Sequence, residues 1–169
     1  MTAYIAVMTA LAAVIGYLEQ LIPVNLFGIP GIKLGLANIV SLVALYMFGE
    51  VHAFLIMAVR VTLVGLMFGN MYAIAFSFTG GVMSLAVMIL LKRTGLFGIG
   101  GISAAGGVSH NMGQMIIAML TLDSINLVYY IPILSVAGTV CGMAVGVTAG
   151  MIYDRIGMTE RTLDDTKVT

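Results

Sequence analysis

Seven polar residues interrupt an otherwise apolar chain: Glu19, Lys33, Asn38, Arg60, His110, Asn111 and Gln114. Two cations, a carboxylate, an imidazole and three amides are the groups that hold an anionic or zwitterionic small molecule through charge-assisted hydrogen bonds. Their spacing is helical. His110 and Gln114, four apart in "HNMGQ", share one face, and Ser41 lies one turn from Asn38. Ser77 and Ser84 flank the Gly80-Gly81 pair. No metal site is indicated, because His110 has no Cys, His or Asp clustered with it in the sequence. Nor does any motif call for a catalytic residue or a resident cofactor.

The elements that position these residues are membrane helices. The chain has 169 residues, 61% of them hydrophobic and 8% charged, with a mean hydropathy of +1.14, whereas soluble domains carry about 25% charged residues. Its apolar runs are about 20 residues long, the length of a spanning helix rather than a barrel strand. Six such runs are predicted, at 3–22, 32–49, 51–69, 71–91, 99–120 and 127–152. They form one all-α transmembrane domain over 1–153, followed by a polar tail at 154–169, "DRIGMTERTLDDTKVT", that is expected to be poorly ordered. The fifth run opens on the glycine-rich "GIGGISAAGG", which is expected to tolerate a bend or an unwound turn.

Charge placement orients the bundle. With six spans, Lys92, Arg93, Arg155, Arg161 and Lys167 share one side and Lys33 lies on the other, so both termini are expected in the cytoplasm. The N-terminal "MTAYIAVMTALAAVIGYLEQLI" lacks a basic leader and a small-residue cleavage site, and reads as a retained first helix. Seven basic and seven acidic residues balance to zero net charge, with no polybasic arm for nucleic acid. Cys141, the single cysteine, reads as a small core residue in "GTVCGMAVG".

Arg60 sits at the midpoint of the third run. A charge at that depth costs about 2.5–3.5 kcal/mol on insertion scales, so the guanidinium must face the interior and find a partner. Glu19, the acidic residue in the outer half of the first run, is the expected partner for Arg60 or Lys33. Two readings stay open. One makes the polar residues glue between helices, the other the wall of a pocket. All seven fall between the midplane and the presumed outer surface, which glue does not require and a pocket open to the outside does.

The strings "PGIKLGLANIV" and "SHNMGQ", with "FSFTGGVMSLAVMILLKR" and "YYIPILSVAGTVCGMAVG", resemble the heptaprenyl diphosphate synthase component I family, also called the Gx transporter family, over about residues 3–152. That family is grouped with the S-components of energy-coupling-factor (ECF) transporters. The resemblance implies a six-helix bundle in the bacterial cytoplasmic membrane that captures a small molecule near the outer face. It also implies docking, through an Ala-x-x-x-Ala motif on the first helix, to a coupling transmembrane subunit and ATPases. Ala6 and Ala10 match that motif.

The synthase label and the transporter kinship diverge, and the residues bear on both. Asp164 and Asp165 are the only adjacent aspartates and no second acidic motif accompanies them, so the chain does not carry the Mg²⁺-diphosphate machinery of a prenyl synthase by itself. It also lacks a phosphate-binding G-x-x-x-x-G-K-[ST] loop. The expected function is a non-catalytic substrate-binding transporter subunit. Its ligand would be flavin-like, a quinone precursor or isoprenoid-related, and its other contacts membrane lipid and partner subunits. The alternatives are an accessory subunit of polyprenyl diphosphate or quinone synthesis, and a scaffold in a membrane redox assembly.

Overall fold

The structure, a computed structural model, describes residues 2–21, 35–69, 71–123 and 125–167. Lys33 lies outside them. The described chain forms six α-helices and a 3-10 turn at Ile125–Tyr130, with no strand among the described residues. The helices are α1 (Thr2–Leu21), α2 (Asn38–Met47), α3 (Glu50–Phe68), α4 (Met71–Thr94), α5 (Ile99–Leu122) and α6 (Ile131–Lys167). Three stretches are long and apolar enough to cross a membrane: Glu50–Phe68, Met71–Thr94 and Ile125–Ile156. At 24 residues α5 equals α4 in length, but its serines, His110, Asn111 and Gln114 keep it out of that apolar class.

The glycine-rich start of α5 does not unwind, because α5 is continuous from Ile99 to Leu122. Its glycines serve packing, Gly107 against α6 and Gly106 against α4. The last helix continues to Lys167, while its apolar stretch of membrane-crossing length ends at Ile156, near the expected 152. No proline follows residue 132, and the polar segment is made largely of residues compatible with a solvated helix.

The shortest helix is the most enclosed. Ten residues give α2 a length of about 15 Å, half the thickness of a bilayer core. Its run Val40, Ser41, Leu42, Val43, Ala44 and Leu45 is buried without a break, as a helix apolar all round must be. It packs among α1, α3 and α6, while α4 and α5 complete the wall between α3 and α6. Gly35 and Gly49, both at positive φ, bracket it, and at such angles a Cβ is strained.

One end of α2 is anchored. Lys92 Nζ donates to the Leu45 carbonyl at 2.7 Å and lies 4.7 Å from the centre of the Tyr46 ring. The ammonium thus sits against the last carbonyls of α2, where the negative end of the helix dipole favours a cation. Beside it, Arg93 holds both carboxylate oxygens of Glu50, at 2.9 and 2.7 Å. The opposite end of α2, at Asn38, opens on the polar interior of the bundle.

Candidate functional site

Two small chambers meet at the start of α2. The larger, about 60 Å³, is bordered by Glu19 of α1, Asn38, Arg60 of α3, Ser77 of α4 and His110 of α5. The smaller, about 30 Å³, is bordered by Ser84, Ser103, Asn111 and Cys141. Gly35, Asn38 and His110 border both and form the partition between them. At about 10–15 Å³ of such volume per water molecule, the larger chamber has room for a few waters. A flavin-sized ligand therefore requires the lining helices to move apart.

Small residues create the space for the charge. Gly16 of α1 lies beside Arg60: a Cβ there would come within 3.8 Å of a terminal guanidinium nitrogen. Arg60 is only 9% exposed. One of its terminal nitrogens donates to Asn38 Oδ1 at 3.4 Å, a long bond, and its Nε meets no hydrogen-bond partner among the described residues. Of the five guanidinium N–H donors, the one on Nε is therefore uncommitted among the described residues.

Glu19 is not in contact with Arg60. Its carboxylate instead accepts the backbone N–H of Gly35, in the turn that delivers α2. Of the two expected pairings, that with Arg60 is not formed inside 4 Å, and Glu19 acts on Arg60 through space; that with Lys33 lies outside the described residues. The reason is geometric. The turn at Gly35 brings a backbone donor to the carboxylate, and the chamber separates the two charges.

A glycine crossing sets the position of His110. Gly80 of α4 is so close that a Cβ there would stand 2.9 Å from the His110 carbonyl and 3.0 Å from its ring. Gly113 completes the crossing, its notional Cβ 2.9 Å from Gly80 Cα. Gln114 packs against the same glycine and is 1% exposed, and neither amide atom finds a partner among the described residues. It borders neither chamber. Asn111 borders the smaller one and is held there by a 2.9 Å bond from its Nδ2 to the Leu134 carbonyl of α6, leaving its oxygen as an acceptor.

The structure thus gathers Glu19, Asn38, Arg60 and His110 around one chamber and places Asn111 in the next. Gln114 stands behind the wall. Ala6 and Ala10 are exposed on α1, facing away from the bundle. The sequence reading did not include Ser103 or Cys141 among the polar interior. A seven-residue step would have found Ser103 from His110 and Ser84 from Ser77, since two helical turns return to the same face.

The sequence pattern of the family described as heptaprenyl diphosphate synthase component I matches residues 8–152. The chain belongs to that family. No curated protein and no solved structure matches it. In this component I chain the matched stretch contains every residue that borders either chamber. Among the described residues, no group of three His, Cys, Asp or Glu is placed to hold a metal ion. What the site offers is charge and hydrogen bonding around a space enclosed by helices.

Proposed function

We propose that the chain is a non-catalytic, substrate-capturing membrane subunit that binds a small molecule in the chamber between Glu19 and Arg60. One observation carries the reading. A guanidinium whose Nε–H has no partner among the described residues and a carboxylate held apart from it face a shared cavity inside an apolar bundle. Cohesion alone would be better served by bringing the two charges into contact, because separated buried charges are poorly compensated. Lys33, Asn38, His110, Asn111 and Gln114 are the further residues assigned to ligand binding, with Gln114 engaging once the wall yields.

In this reading all six hydrophobic segments span a bacterial cytoplasmic membrane, both termini are cytoplasmic, and the chamber opens outward. The exposed face of α1 around Ala6 and Ala10 docks a coupling subunit that supplies energy, as the S-component kinship implies. The family match favours a second reading, in which the chain assists a catalytic subunit of heptaprenyl diphosphate synthesis and Arg60 engages a diphosphate.

Native mass spectrometry of the full chain in a mild detergent separates these readings. A small polar compound that is retained by the native chain and lost from Arg60→Gln supports the capture subunit. A retained polyprenyl diphosphate moves the second reading to first place. A bound compound indifferent to Arg60→Gln removes the chamber from consideration as its site.

A further inference from the structure

Most hydroxyls in the described helices are satisfied locally. Thr9, Thr62, Ser109, Thr121, Ser135, Thr139 and Thr148 each donate to the carbonyl four residues back, at 2.7–2.9 Å. That is how a hydroxyl is satisfied inside an apolar helix. Ser41, Ser84 and Ser103, each 3% exposed, are not among them. Ser41 borders neither chamber, whereas Ser84 and Ser103 border the smaller one together with Asn111 and Cys141.

The two chambers therefore differ in kind and adjoin. The larger holds one positive and one negative group on different helices, not in contact. Among the described residues the smaller is bordered by hydroxyl, amide and thiol groups, the His110 imidazole, glycine backbone and the apolar side chains of Met88 and Val145, with no Asp, Glu, Lys or Arg. Among the described residues the charges bordering the larger chamber cancel. A ligand of net charge would find no group among them to compensate that charge in a low-dielectric interior. A ligand bearing both signs incurs no net charge and fills the gap between the two groups.

We propose that the chambers form one bipartite site for a small zwitterion of the amino-acid type. Its ammonium meets Glu19, its acid group meets Arg60 and Asn38, and its short uncharged, hydrogen-bonding tail passes the Asn38–His110 partition to reach Ser84 and Ser103. This inference rests on the capture-subunit reading and narrows it to a substrate class. The chamber sizes limit the tail to a few heavy atoms unless the helices part.

Cys141 provides the test, because it borders the smaller chamber and is the only cysteine in the chain. The full chain in detergent is treated with methyl methanethiosulfonate, and modification is followed by intact mass. Three competitors share a hydroxyl-terminated skeleton: L-serine carries both charges, ethanolamine the cation alone and 3-hydroxypropionate the anion alone. Serine is expected to protect Cys141 at a concentration at least about tenfold lower than either of the others. Glu19→Gln and Arg60→Gln are each expected to abolish that preference.

Ser103→Ala keeps both charges, and is expected to remove the advantage of serine over alanine as protectant while leaving alanine's own protection in place. Equal protection by either singly charged compound overturns the proposal, as does no protection by any. If none protects while native mass spectrometry still finds a compound lost from Arg60→Gln, the zwitterion falls and the capture reading stands. If that compound is absent too, both fall.

Discussion

The two chambers adjoin across Asn38 and His110 and are built on opposite principles. The one between Glu19 and Arg60 is held open by side chains, with Gly16 providing space and charges that stop short of contact. The other is shaped by backbone. Along the seam of α5 and α6, a Cβ at Gly138 would stand 2.8 Å from the Gly107 carbonyl, and one at Gly142 would stand 2.6 Å from the Ser103 carbonyl. Small residues let helices approach where lipid offers no hydrophobic gain for association. The seam is thus rigid by contact, whereas the charged chamber has slack. Accommodation of a larger ligand should come from α1 and α3, with α5 and α6 moving as a unit.

The largest expected effect breaks that seam. Gly138→Leu forces apart two backbones that have no side chain able to yield, and the detergent-solubilised chain should lose its cooperative thermal transition or aggregate. Gly16→Ala is the matched control, because its Cβ meets nothing nearer than 3.5 Å. Its melting temperature should stay near that of the native chain. Equal damage from both would mean that the charged chamber has no slack.

Next come the separated charges. Arg60→Gln leaves Glu19 without a compensating cation among the described residues and should cost about 3 kcal/mol. Glu19→Gln in the same chain should recover much of that loss. Non-additivity in a chemical denaturation cycle would measure the coupling across the cavity, and strict additivity would show that the two groups do not sense each other.

The hydroxyls should register least within the bundle. Replacing Ser84 or Ser103 by alanine removes a hydroxyl for which the described residues show no hydrogen-bond partner, so stability should change by less than about 0.5 kcal/mol or rise. A loss near 1 kcal/mol would reveal a structural bond. Smaller still is the effect of Arg93→Gln at the exposed end: it breaks a surface ion pair, and the small loss in melting temperature should vanish in high salt.

Much of the site was legible because an apolar chain makes each polar residue conspicuous. Arg60 had to face inward, since a guanidinium cannot shed its charge and lipid cannot hold it, and the structure buries it. Helical spacing placed His110 and Gln114 on one side of α5, although only His110 reaches a chamber. The serines of the smaller chamber were not legible as a group, because serine is common in membrane helices and usually satisfies itself on its own backbone.

By itself the sequence determined the helical class, the helix ends near Glu50, Phe68, Thr94 and Ile99, and which polar groups interrupt the apolar runs. These follow from local rules of hydropathy, breakers and helical pitch. Tertiary structure alone decided that α2 is a half-length helix at the centre, that Glu19 takes the Gly35 amide in preference to Arg60, and that Asn38 and His110 divide one cavity in two. The physical reason is that a hydrogen bond or a gap between charges depends on the distance between helices. That distance is set by glycines meeting glycines across a crossing, which no single helix's sequence specifies.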